Sequence, residues 1–86
     1  MNWKFRAAEA AFVAELAQLR LQMGLSRHAL AEQVGIEPSD VDLSEAGLRR
    51  VDVVELFQWC KACGSSLDVF VERIGQRLLA KTSDHH

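Results

Sequence analysis

The stretch Leu25-Ser26-Arg27-His28-Ala29-Leu30-Ala31-Glu32-Gln33-Val34-Gly35-Ile36 decides how the chain folds. Ser26 is a good N-cap, because its hydroxyl can accept from a backbone N–H that the first helical turn leaves unpaired. Leu30 and Val34 lie one turn apart and give the helix Arg27 to Val34 an inner face, with Ala31 beside them. Gly35 follows as a turn residue, since a left-handed backbone costs glycine little. Ile36 is an apolar plug, and Pro38 falls in the first turn of a further helix, where its missing N–H is not needed. Two short helices joined by so tight a turn meet at a steep angle. A small residue at their contact, Ala29 or Ala31, lets the backbones approach.

Outward from this corner the chain reads as helix in both directions. Phe12, Leu16, Leu19 and Met23 form one stripe at helical spacing, which predicts a helix from Arg6 to Met23 ended by Gly24. The helix that begins at Pro38 runs to about Glu45 and stops at Gly47. Asp52 caps a fourth helix, Val53 to Cys63, with Val53, Leu56, Phe57 and Cys60 expected to point inward. Ser66 caps a fifth, from Leu67 to about Lys81, with Phe70, Val71, Ile74 and Leu78 on its inner stripe, and a polar tail follows. Strand-like alternation is missing, so the fold class is all-α. The 86 residues contain no linker and no repeat, so residues 1–86 are expected to form a single domain.

This succession is a helix-turn-helix corner, whose second helix can enter a DNA major groove. The pieces Leu25-Ser26, Leu30-Ala31-Glu32, Val34-Gly35, Glu45-Ala46-Gly47, Arg49-Arg50-Val51-Asp52-Val53-Val54-Glu55-Leu56 and Cys63-Gly64-Ser65-Ser66-Leu67 follow in register. Across Leu19 to Ile74 they resemble the Cro/cI-type helix-turn-helix family, often called XRE-like. The resemblance implies a compact five-helix, lambda-repressor-like DNA-binding domain, here with an extended N-terminal helix. Its core spans about residues 19–74 and its corner residues 26–46. A transcription-regulator role, double-stranded DNA as partner and a homodimer are implied with it.

The third helix departs from that pattern. In the family, base edges are read from its start and outward face, positions held here by Glu37, Pro38, Ser39, Asp40 and Leu43, with Asp42 close by. The good readers Arg, Lys, Asn and Gln are absent between Ile36 and Ala46, where four carboxylates stand: Glu37, Asp40, Asp42 and Glu45. Phosphates repel a carboxylate in the groove, and its one good target is the cytosine amino group. Leu43 sits where a polar reader is expected, and Ser44 where the family tends to keep a bulky residue. Glu45 alone reads as a helix-end carboxylate that hydrogen-bonds locally.

Phosphate-clamping positions survive better. Arg27 opens the second helix, where the helix dipole also favours an anion. Arg49 and Arg50 follow the third helix and can reach a backbone phosphate or lie in a solvated loop. Base readout is then left to His28, Ser39 and Leu43, aided by DNA shape. The alternative is a protein-interaction module that kept the fold and lost the DNA. Its contact face would be Glu37, Asp40, Asp42 and Leu43, docked on a basic protein partner or on a partner's own DNA-binding face.

Ten lysines and arginines stand against twelve acids, a net charge of −2, so any affinity for nucleic acid must come from local cations. No apolar run reaches the roughly 18 residues of a membrane span. The segment Met1 to Arg6 lacks a signal-peptide core, and a cytoplasmic location is expected. Trp3 and Phe5 are expected to pack on the domain or across a dimer interface formed by the first or last helix.

Trp59-Cys60-Lys61-Ala62-Cys63 resembles the Trp-Cys-x-x-Cys of thioredoxin-like proteins. Those place the motif at a helix start that lowers a thiol pKa, whereas here it ends a helix. Cys60 and Cys63 therefore read as small core or boundary residues. His28, His85 and His86 give no ligand pair at zinc spacing, so no metal is expected. Phosphate loops, nucleophile elbows and paired-histidine motifs are missing as well. The chain is not expected to be an enzyme, to carry a cofactor or to take a small-molecule substrate.

Overall fold

The computed structural model describes the backbone of residues 3–83 and the side chains of residues 6–80. Five helices follow one another: α1 Trp3–Gln22, α2 Arg27–Val34, α3 Pro38–Glu45, α4 Val53–Ala62 and α5 Leu67–Ser83. Among the described residues there is no strand. No described helix is long and apolar enough to cross a membrane.

The helix ends follow the local chemistry. Ser26 Oγ accepts from the Ala29 N–H at 3.0 Å and starts α2. Gly35 takes a left-handed φ of 89° and closes it, its own N–H donating to the Ala31 carbonyl at 2.8 Å. Before α3 the Glu37 N–H donates to Asp40 Oδ2 at 3.1 Å, so an acid inside the first turn satisfies the chain just ahead of it. Asp52 Oδ1 accepts from the Glu55 N–H at 2.8 Å and starts α4.

The core lies where all five helices converge. Leu16 and Leu19 of α1, Leu30 and Ala31 of α2, Val41 of α3, Leu56, Trp59 and Cys60 of α4, Cys63 at the end of α4 and Phe70 of α5 are buried together. Phe12 meets Phe70 edge-on, ring centres 5.2 Å apart. The Trp59 indole N–H donates to the Leu16 carbonyl at 3.3 Å, which binds α4 to the middle of α1. Ile36, the expected plug, packs half-buried against this cluster, as do Val34 and Ile74.

Several expected inward residues face solvent instead. Met23, Val53, Phe57 and Val71 are exposed. Met23 lies past the end of α1, so the stripe that carries Phe12, Leu16 and Leu19 has stopped before it. On α4 and its cap the buried set is Leu56, Trp59, Cys60 and Cys63. These fall at i, i+3, i+4 and i+7, a stripe centred on the indole, the largest apolar surface available. Phe57 and Val71 each stand one residue past a buried anchor and are turned about 100° away from it. α1 also starts earlier than Arg6, and α5 runs two residues past Lys81. The side chains of Trp3 and Phe5, and the tail beyond Ser83, lie outside the described residues.

Candidate nucleic-acid interface

The outward face of α3 is set by what its inward face must bury. Val41 and Ser44 are fully buried, which leaves Ser39, Asp42, Leu43 and Ala46 exposed. At 100° per residue, Ser39 and Ala46 occupy the middle of that exposed face, with Asp42 and Leu43 on either side of them and Asp40 beyond Leu43.

The angle at which α3 stands is held from behind by an ion pair. Arg20 of α1 donates from Nε to Glu45 Oε2 at 2.7 Å and from Nη2 to Oε1 at 3.0 Å. Its third bond, from Nη1, goes to the Leu25 carbonyl at 3.0 Å, at the entry to α2. Both side chains are over nine-tenths buried. The hydrogen bonds to Glu45 raise the Arg20 pKa further above its ordinary range, against the opposing effect of burial. Glu45 therefore does not bond locally, as the sequence reading expects; it reaches across 25 residues and fixes the end of α3 to α1. A planar two-pronged pair of this kind defines orientation as well as distance.

The other acids of α3 are engaged too. The Nε of Arg27 lies 3.5 Å from Asp42 Oδ1 and 3.7 Å from Glu45 Oε1, with Arg27 and Asp42 both more than half exposed. Arg49 makes a second two-pronged pair, Nη1 to Glu55 Oε1 at 2.9 Å and Nη2 to Oε2 at 2.8 Å. The same guanidinium donates to Ser44 Oγ at 3.2 Å and sits 3.6 Å from Asp40 Oδ1. Its hydrogen bonds to Glu55 push its pKa up. Small, polar Ser44 is thus a buried acceptor for Arg49, where a bulky apolar residue would block the approach. Arg49 joins α3 to α4 and does not lie in a solvated loop. Arg50, by contrast, is exposed, as is His28 in the first turn of α2, and among the described residues neither side chain makes a hydrogen bond or ion pair.

The structure therefore gathers Arg27 with Asp42, and Arg49 with Asp40, along the two borders of α3. Ser39 and Leu43 lie between them. Glu37 is exposed at the N-terminal end. His28 and Arg50 stand apart from these pairs. Sequence reasoning missed Arg20 and Glu15. Each borders the apolar stripe of α1, an unusual place for a charge unless a partner is waiting. Glu15 is fully buried and accepts from Arg73 Nε at 2.6 Å and Arg77 Nε at 3.0 Å, which clamps α5 to α1.

Cys60 and Cys63 are free and buried. Burial pushes both thiols up to about 11. They are core groups with little thiolate at neutral pH.

Comparison with known proteins fits this geometry. The family described as a helix-turn-helix domain matches residues 11–72. No curated protein matches the chain. Among solved structures, the clp gene regulator ClgR from Corynebacterium glutamicum is similar at 24% identity, over 90% of this chain and 83% of that one, with a TM-score of 0.77. A point mutant of the restriction-modification controller protein C.Esp1396I is similar at 19% identity, over 84% of this chain and 91% of that one, with a TM-score of 0.76. A second point mutant of the same controller protein gives 23%, 87% and 97%, and 0.73. At these identities the likeness is one of fold.

Proposed function

We propose, for a chain that belongs to the helix-turn-helix domain family in its XRE-like form, that it binds double-stranded DNA as a transcriptional regulator by laying α3 in the major groove. The observation that carries this reading is the ion pairing of α3. Glu45 is buried against Arg20 and Asp40 lies 3.6 Å from Arg49, while Asp42 makes only an exposed pair with Arg27, so the helix presents less acidic surface than its sequence does. Arg27 and Arg50 are exposed beside the corner and serve as phosphate contacts. Arg49 contributes through Asp40 and Glu55, as the brace that holds its loop beside α3. His28 and Ser39 add polar contacts of low discrimination.

A dimer supports this function, because two copies of α3 would meet successive major grooves of a palindromic site. Exposed Val53, Val54 and Phe57 on α4, with Val71 and Leu79 on α5, offer apolar surface for it. We place the protein in the cytoplasm, with the DNA it reads, and assign it no catalytic step. The alternative, a protein-docking module, draws its support from an unpaired acidic α3. The arginines at Asp40, Asp42 and Glu45 weaken that support.

The test is selection of duplexes from a random-sequence pool by the full chain, followed by sequencing. Enrichment of a two-fold-symmetric site is the expected result. Failure to enrich any sequence at low salt would sink the DNA reading and turn attention to a protein partner.

A further inference from the structure

We propose that Arg73 and Arg77, anchored on the buried carboxylate of Glu15, form a site for the phosphate group of a small ligand, apart from the DNA face. Three observations carry it. The charges at this seam of α1 and α5 do not balance. Glu15 is fully buried and accepts from Arg73 Nε at 2.6 Å and from Arg77 Nε at 3.0 Å, so two cations share one carboxylate and one positive charge is left over. The other acids of these helices do not face it. Glu9 on α1, and Asp68 and Glu72 on α5, each stand 100° or more round their helix from Glu15 or from the two arginines. Finally, the donors that remain are held in place. Both guanidiniums spend their Nε on Glu15, and among the described residues their Nη groups make no further hydrogen bond. The side chains are 39% and 38% exposed, so these free donors meet solvent while the carboxylate that fixes them does not.

The chemistry of the pair then selects the ligand. Two planar forks one helical turn apart suit an oxyanion, and their anchoring reduces the side-chain entropy lost when it arrives. A carboxylate brings two oxygens and one charge. A phosphate monoester brings three oxygens and about two charges near neutral pH, enough to engage both forks. A small ligand fits the position better than DNA does, because α5 packs on α1 and α4 whereas the proposed DNA face is α3. Val71 and Leu79, the exposed apolar residues of α5, stand more than 100° round the helix from both arginines, so the site does not share their surface.

The probe is inorganic phosphate, titrated into the full chain at slightly alkaline pH and constant ionic strength, and followed by NMR of the arginine side-chain N–H signals. Saturating shifts at Arg73 and Arg77 are expected, while Arg50, exposed and unpaired, drifts without saturating. Arg73→Gln leaves Arg77 alone on Glu15, a balanced pair, and is expected to stay folded and to raise the half-saturating concentration about tenfold. Arg73→Lys keeps the charge and removes the fork; it is expected to weaken binding in the same direction, and it carries the test if the glutamine variant does not fold. Shifts at Arg73 and Arg77 no larger than at Arg50 overturn the proposal, as does unchanged saturation in a folded variant. A parallel titration with duplex DNA separates the sources. If it moves Arg73 and Arg77 together with Arg27, the phosphate belongs to DNA and the small-ligand site is overturned. The phosphate titration needs no DNA, so failure of the DNA-binding reading leaves its outcome legible.

Discussion

Arg27 sits at a point of competition. Asp42 Oδ1 lies 3.5 Å from its Nε, so in the proposed function Asp42 and a DNA phosphate compete for the same guanidinium. Both side chains are well exposed, so the pair itself is weak and salt-sensitive. Asp42→Asn is expected to tighten DNA binding about three- to fivefold at low salt, by releasing Arg27 and removing a charge that phosphates repel. Arg50→Ala is expected to weaken it about uniformly across sequences and to lower the salt slope by about one. Anisotropy titrations at two salt concentrations read both effects, and a weaker complex with Asp42→Asn would contradict the competition. The thiols make a separate prediction. Cys60 and Cys63 ionise near 9.0 when exposed but only near about 11 in the fold. Between those values the unfolded chain releases protons that the folded chain keeps, so stability falls as pH rises through that window. The contribution is fully present below pH 9. Denaturant titrations between pH 8 and pH 11 should show the fall, and it should flatten in a chain carrying Cys60→Ala and Cys63→Ala. An equal fall in that variant would assign it to other groups.

At the scale of the elements, the orientation of α3 depends on a pair of charges taken almost out of water. Removing one member strands the other, and a stranded buried charge costs about 3–5 kcal/mol. Glu45→Ala is therefore expected to lose about that much stability, measured by urea or thermal denaturation, whereas Arg20→Met with Glu45→Leu recovers most of it. A loss below about 1 kcal/mol in Glu45→Ala would mean that the pair is solvated and fixes nothing. This pair also shows where sequence reading stops. The helices were legible because their signals are local: Ser26 and Asp52 as caps, Gly35 as a stop, Pro38 in a first turn. The partners of Arg20 and Glu15 were not, because each lies far along the chain, at Glu45 and at Arg73 and Arg77. For the same reason Arg49 was legible as a cation near the corner, while its engagement with Glu55 and Ser44 was not. The inner face of α4 was misread for a packing reason. Val53 and Phe57 fit a helical stripe as well as Trp59 does, and only packing against the other helices, with Leu16 and Phe70 in the same cluster, decides for the indole.

At the scale of the molecule, ion pairs hold α1 in two places. Glu15, itself buried, accepts from Arg73 and Arg77 of α5, which are partly exposed, and Arg20 donates to Glu45 of α3. α1 is therefore the common support for the face of α3 on one side and for the exposed apolar surface of α5, Val71 and Leu79, on the other. If two copies associate through that apolar surface, the spacing of their third helices is transmitted through α1. A net charge of −2 leaves no general attraction for DNA, so the proposed binding rests on local cations, Arg27 and Arg50 in this reading, and on the shape of the corner. The most direct test is a fluorescence-anisotropy titration of the full chain into its selected duplex and into a scrambled duplex of the same composition, at low and at moderate salt. Sub-micromolar binding to the selected duplex, weakening steeply with salt and well ahead of the scrambled one, is the predicted result. Absence of binding at low salt, or equal binding to both duplexes, would contradict the account of α3 as a DNA-reading helix.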